Sequence, residues 1–109
     1  MSNTFAKARK LVLKDLVEYS SNGIISKLVI ESKAGNITLF SFDKEQRLSE
    51  HSAPFDAFVQ ILEGTAVIMI DGKQNELLAG DSIIMPANIP HAVYAKERFK
   101  MLLSMIKGN

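Results

Sequence analysis

From Ile24 onward the apolar side chains gather into short runs: Ile24 to Ile30, Ile37 to Phe42, Phe58 to Leu62, Thr65 to Ile70, Ser82 to Met85, His91 to Ala95 and Phe99 to Ile106. Short runs at even spacing, separated by turn residues, predict an all-β sandwich or barrel. The separators Gly35-Asn36, Glu63-Gly64, Asp71-Gly72 and Ala79-Gly80-Asp81 supply residues that tolerate positive φ, so each is expected to reverse a hairpin. Asp71-Gly72 carries the sharpest signal of the four. Two runs, Ala66 to Ile70 and Ile83 to Met85, are apolar at consecutive positions, so both faces of those strands need cover. Ahead of the barrel, Leu11 to Leu13 reads as a short strand and Asp15 to Tyr19 as one helical turn with an acid near its start. Residues 1–10 read as a frayed end.

Size changes this picture little: 109 residues suit one domain, spanning 1–109, with no room for a second core. A hydrophobic share of 47% is enough to build that core and too high for a disordered tail. Formal net charge is +1, which provides no field to recruit nucleic acid or an acidic membrane surface. The basic residues Lys7, Arg9, Lys10 and Lys14 are interrupted by apolar positions and answered by Asp15 and Glu18, the pattern of a solvated edge. Lys100 and Lys107 read as solvent-facing. No cysteine is present, so disulfides, thiolate metal sites and a cysteine nucleophile are excluded. No stretch approaches the length of a membrane span or a signal peptide, and a cytoplasmic location is the expectation.

Two segments carry a family resemblance. His51-Ser52-Ala53-Pro54-Phe55-Asp56-Ala57-Phe58-Val59-Gln60-Ile61-Leu62-Glu63-Gly64 resembles the first cupin motif, in which two His one residue apart precede a Glu and, further on, a Gly. Gly80-Asp81-Ser82-Ile83-Ile84-Met85-Pro86-Ala87-Asn88-Ile89-Pro90-His91 is similar to the second motif, with Asn88 at a position usually held by Gly; Asn is the next-best residue for a left-handed turn. Glu45 stands where the first motif is usually preceded by Gly. The resemblance is to small, single-domain, RmlC-like cupins of the cupin 2 type. It implies a double-stranded β-helix, the jelly-roll barrel, over nearly the whole chain.

Cupins of this kind usually hold a divalent metal with three His and one carboxylate or Gln, a donor set that suits Zn, Ni, Fe or Mn. Carried over position by position, the resemblance places His51 and His91 on metal-ligand positions, and Ala53 and Ala57 where the remaining two ligands would stand. Any metal is therefore expected to be weakly held, because catalytic sites normally offer three or more protein ligands. The residues leave two readings open: an anchor for a metal or polar ligand, or two polar groups retained among apolar neighbours. Asp56 and Gln60 fail to substitute for Ala57, since strand alternation turns them to the opposite side. Ser49-Glu50-His51 is no nucleophilic triad, for the same reason.

With residue 57 facing inward, Ala53, Ala57, Val59 and Ile61 line a pocket together with Phe40 and Phe42 on one strand and Met101 and Met105 on the last. Such a pocket is apolar, with a polar end at the two His. Met69, Met85, Met101 and Met105 read first as core filler. Three functions fit: a barrel that binds a small organic ligand, a metal-dependent dioxygenase, decarboxylase or isomerase using His51 and His91, or a structural or regulatory dimer with a vestigial pocket. No residue is assigned a catalytic role. Fold alone does not choose among them. The surplus of outward apolar residues predicts a homodimer, packed through one barrel sheet together with the Leu11 to Leu13 strand.

Overall fold

The structure is a computed structural model that describes residues 5–107. Eight antiparallel strands form it: β1 (Ile24–Ser32), β2 (Gly35–Phe42), β3 (Arg47–His51), β4 (Asp56–Ile70), β5 (Lys73–Leu78), β6 (Ser82–Met85), β7 (His91–Tyr94) and β8 (Phe99–Ile106). They curl into two facing sheets that share β4. One sheet runs β1-β2-β8-β4-β6 and the other β3-β7-β4-β5. This is the jelly-roll barrel that the strand pattern and the resemblance both predict. Among the described residues no helix is long and apolar enough to cross a membrane.

β4 corrects one expected hairpin. Phe58 to Leu62 and Thr65 to Ile70 are one strand; Glu63 and Gly64 pair with Lys100 and Phe99 within it, just after a bulge at Leu62. Gly64 takes φ +81°, and a Cβ there would lie 2.1 Å from the Arg98 carbonyl oxygen. Only glycine lets the strand bend this close to its neighbour, and the bend passes β4 from one sheet to the other. Gly35-Asn36 likewise makes no turn. Lys33-Ala34 reverses the chain, and Gly35 already pairs with Ile106, where a Cβ would meet the Met105 carbonyl oxygen at 2.1 Å. Asp71 and Gly72, both at positive φ, do form the tight hairpin between Ile70 and Lys73, and the Ala79-Gly80 turn joins β5 to β6. β3 carries a single apolar residue, Leu48, which is why no hydrophobic run announced it.

The N-terminal segment differs from expectation. Leu11 to Leu13 is not a strand, and the helical turn is a 3₁₀ turn at Leu13–Asp15, ahead of the expected Asp15 to Tyr19. The segment is laid over the outside of the first sheet as a strap. The carbonyls of Lys14, Leu16 and Glu18 accept from Lys100 Nζ, Lys27 Nζ and Ser41 Oγ, which leaves them unavailable for strand pairing. Val17 is buried at 1% exposure, and Tyr19 donates to Glu63 Oε2 at 2.7 Å beneath the Arg98 guanidinium. Burial and the neighbouring Glu63 carboxylate hold the Tyr19 hydroxyl protonated well above its usual range. Lys100 is thus buried, contrary to the solvent-facing expectation, because the strap covers it. Phe5 N–H donates to the Val29 carbonyl, so chain expected to fray is anchored from that residue; residues 1–4 lie outside the described residues.

Burial along the inner face is graded. Phe42 and Phe99 stack with ring centroids 4.6 Å apart at one end of the barrel, both at 0% exposure. Val59, Ile61, Ala66, Ile68, Val93, Ala95 and Met101 complete a filled floor. Toward the other end, Phe40, Ile70, Ile83, Leu103 and Met105 face inward yet are only half-buried. Inward residues that solvent still touches define an open mouth.

Candidate functional site

The mouth is where the strand register delivers both histidines of the chain. β3 and β7 pair with His51 directly opposite His91, and His91 lies opposite Ile70 of β4. A register shift between Leu48 and His51 lets both Leu48 and His51 face β7 partners on the inner side. The imidazoles meet edge-on, centroids 4.4 Å apart, with their Nε2 atoms 3.2 Å apart. His91 is buried at 6% exposure, whereas His51 is exposed.

The opposite nitrogen of each ring fixes the tautomer of its neutral form. His51 Nδ1 lies 2.8 Å from the Ser49 carbonyl oxygen, and His91 Nδ1 lies 3.2 Å from that of Ile89. A carbonyl only accepts, so Nδ1 carries the proton in both rings and donates it. Each neutral ring then presents an Nε2 lone pair, and the two lone pairs face one another. Burial, reinforced by the charge His51 would carry, pushes the His91 pKa below its ordinary value despite the Ile89 hydrogen bond. The neutral, ligating form is therefore favoured.

That arrangement suits half a metal shell. Metal–nitrogen bonds of about 2.0–2.1 Å meeting at an angle of about 100° put two nitrogens about 3.2 Å apart, and carbonyl-held Nδ1 groups are the usual outer support of ligating histidines. Among the described residues no group of three His, Cys, Asp or Glu gathers to complete a site. The fit is to two adjacent ligands and no more.

The residues named with the histidines from sequence fall into two sets. Phe42, Val59, Ile61 and Met101 are at 2% exposure or less and belong to the filled floor. Phe40, Met105, Ala53 and Ala57 are nearer the mouth; Ala57 pairs with Met85 on one side and Met105 on the other. Ala53 precedes β4, and its carbonyl accepts from Asn88 N–H at 2.7 Å, while Asp56 Oδ1 accepts from Ala87 N–H at 2.8 Å. These two bonds tie the 86–90 turn, which delivers His91, to the segment that carries Ala53 and Ala57. Asp56 and Gln60 are exposed, as alternation requires, and Ser49 contributes its carbonyl instead of a nucleophile. Ile70 and Ile83 also belong to the mouth, and sequence pattern did not mark them, because their neighbourhood depends on cross-strand register, which one sequence does not reveal.

Asn88 holds φ +64° and Glu45 φ +70°. Both positions where the motifs usually have Gly are thus left-handed, and non-glycine residues fill them at a cost of about 1–2 kcal/mol each.

The solved structures similar to this chain agree on the architecture. A conserved protein of unknown function from Streptococcus pyogenes is 40% identical, with a TM-score of 0.92 over 99% of this chain and 95% of that one. A cupin superfamily protein from Desulfitobacterium hafniense is 34% identical, with a TM-score of 0.89 over 98% and 97%. A cupin 2 conserved barrel domain protein from Leptotrichia buccalis is 41% identical, with a TM-score of 0.86 over 89% of this chain and 47% of that one. No curated protein is significantly similar to the chain. With residues 38–106 matching the Cupin domain family, motif spacing, barrel and histidine placement converge, and the chain belongs to the cupins.

Proposed function

We propose that this cupin binds a small organic molecule in the mouth of its barrel, with His51 and His91 as the polar end of an otherwise apolar site. The observation that carries this reading is the pair of Nε2 lone pairs converging at 3.2 Å beside half-buried apolar side chains. Lone pairs that face one another repel until a proton donor or a cation satisfies both. A ligand hydroxyl or acid group meets that need directly. A divalent transition metal such as Zn, Ni, Fe or Mn meets it too, held by His51 and His91 alone and therefore weakly. When bound, the metal would act as a Lewis acid on a ligand oxygen. The protein's own part is to hold both rings adjacent and turned by their carbonyl partners.

A second reading, a metal-dependent enzyme, is favoured by the carbonyl-fixed tautomers, which are the usual support of metal-binding histidines. Metal analysis of protein purified without a nickel column separates the two. A substoichiometric, readily dialysed metal supports the binding protein, and one tightly held transition metal per chain supports the enzyme. Installing the two absent ligands, Ala53→His with Ala57→Glu, is expected to raise zinc affinity by several orders of magnitude in calorimetry, since each added ligand needs little new ordering in a rigid barrel. Unchanged affinity in a folded double variant would overturn the assignment of these positions.

A further inference from the structure

We propose that the molecule held at the mouth is an aromatic hydroxy acid, and that Lys73 is the residue that holds its carboxylate. This rests on the reading of His51 and His91 as the polar end of a ligand site, and it names the opposite end. Cross-strand register puts four residues in one row along the rim of the β3-β7-β4-β5 sheet: His51 on β3, His91 on β7, Ile70 on β4 and Lys73 on β5. Ile70 packs against the core, so the row lies on the inner side. Alternation along β5 agrees. Leu77 and Asn75 stand opposite Ala66 and Ile68, both fully buried, and Lys73 is the next position on that side.

The facing row is set at the floor, where residues 43–46 join β2 to β3, 79–81 join β5 to β6 and 95–98 join β7 to β8. Each connection crosses from one sheet to the other, so β2 lies over β3, β8 over β7, β6 over β5 and the two halves of β4 over one another. Register then sets Asn36, Met105, Ala57 and Met85 across the mouth from the first row, with Glu31 beyond Asn36 on β1.

Charge is therefore divided across the mouth, with the acid Glu31 on one side and the cation Lys73 on the other, both exposed. Among the described residues Lys73 forms no ion pair, even with its hairpin neighbour Asp71. A ligand with an anionic end is drawn toward Lys73 and turned away from Glu31. Its other end then lies at the histidines, where two Nε2 lone pairs require a proton donor. Two strand spacings of about 4.8 Å separate His91 from Lys73, and the flexible lysine stem adjusts the reach. Between them lie Ile70 and Ala57, with the thioethers of Met105 and Met85 opposite, a span that suits one aromatic ring. A phenol keeps its proton up to about pH 10 and a carboxylic acid loses its own above about pH 4, so one molecule supplies both ends at neutral pH.

The test is an NMR titration with phenol and with 4-hydroxybenzoate, following the imidazole C–H signals of His51 and His91 and the Ile70 methyls. Metal is stripped from the protein beforehand, so that the carboxylate finds no ion at the histidines. Both probes are expected to move these signals, and 4-hydroxybenzoate should bind roughly three- to fivefold tighter than phenol, the scale of an exposed ion pair. Salt at about 1 M, where the Debye length is about 3 Å, should erase that preference. Lys73→Gln should erase it as well with phenol affinity unchanged, and Lys73→Glu should reverse it; the position is exposed, so the barrel tolerates both. A preference that survives either substitution, or equal affinity of the two probes for wild type, overturns the role of Lys73 and leaves the ligand-binding mouth standing. Probes that move none of these signals overturn both.

Discussion

The two ends of this barrel are built from the same strands and have opposite characters. At the floor, Phe42 and Phe99 stack at 0% exposure and Gly64 allows β4 to pass against β8 with backbone almost in contact. Asp43, just past Phe42, accepts from Asn22 N–H at 2.7 Å and from Arg98 at 3.2 Å, closing that end from outside. At the mouth, the corresponding positions on β8 and β2 are half-buried, and the polar groups are two imidazoles with lone pairs turned toward each other. Stability is concentrated at one end so that the other can stay open, the usual division between a rigid scaffold and its site.

The largest test of this contrast is Phe99→Ala, which should cost about 3–5 kcal/mol in urea unfolding, as expected for a large, fully buried aromatic. Leaving the midpoint unchanged would show the floor is not where the barrel is held. Gly64→Ala comes next. Left-handed strain of about 1–2 kcal/mol combines with overlap on the Arg98 carbonyl, so a total loss of about 2–4 kcal/mol is expected. Gly72 has the same φ of +81° but open space around it, so Gly72→Ala should lose only the strain, about 1–2 kcal/mol. Equal losses at both glycines would refute the close approach at the floor.

Leu103→Ala at the mouth should cost about 1–2 kcal/mol, since a half-buried side chain recovers solvent contact more easily than it leaves a cavity. A loss matching that of Phe99→Ala would mean the mouth is closed. The smallest effect concerns acid. Hydrogen bonds from the Asn22 and Lys44 amides and from Arg98 hold the Asp43 pKa below its usual value. A carboxylate with a lowered folded pKa adds stability above the unfolded value, about 3.9, and loses it as pH falls through the folded one. Asp43→Asn should therefore be slightly less stable than wild type at neutral pH, with the gap closing below about pH 4. A gap that persists at pH 2 would assign the effect to something other than ionisation.

Periodicity and turn chemistry by themselves determined the strand-rich fold, the Asp71-Gly72 hairpin and the left-handed Asn88, because these depend on residues close in sequence. The family resemblance of the two motifs put His51 and His91 at one site, and their meeting itself depends on the register of β3 against β7. Tertiary structure decided the rest. β3 was silent, since an edge strand with one apolar residue leaves no periodic trace. Gly64 and Gly35 read as turns because the requirement for glycine there is a neighbouring carbonyl distant in sequence. Leu11 to Leu13 became part of a strap, and Lys100 was buried beneath it, because side chains from three strands claimed the carbonyls of Lys14, Leu16 and Glu18. The difference between floor and mouth is likewise a matter of register: Phe99 and Leu103 share one face of one strand, and only the strands opposite them determine which is sealed and which meets solvent.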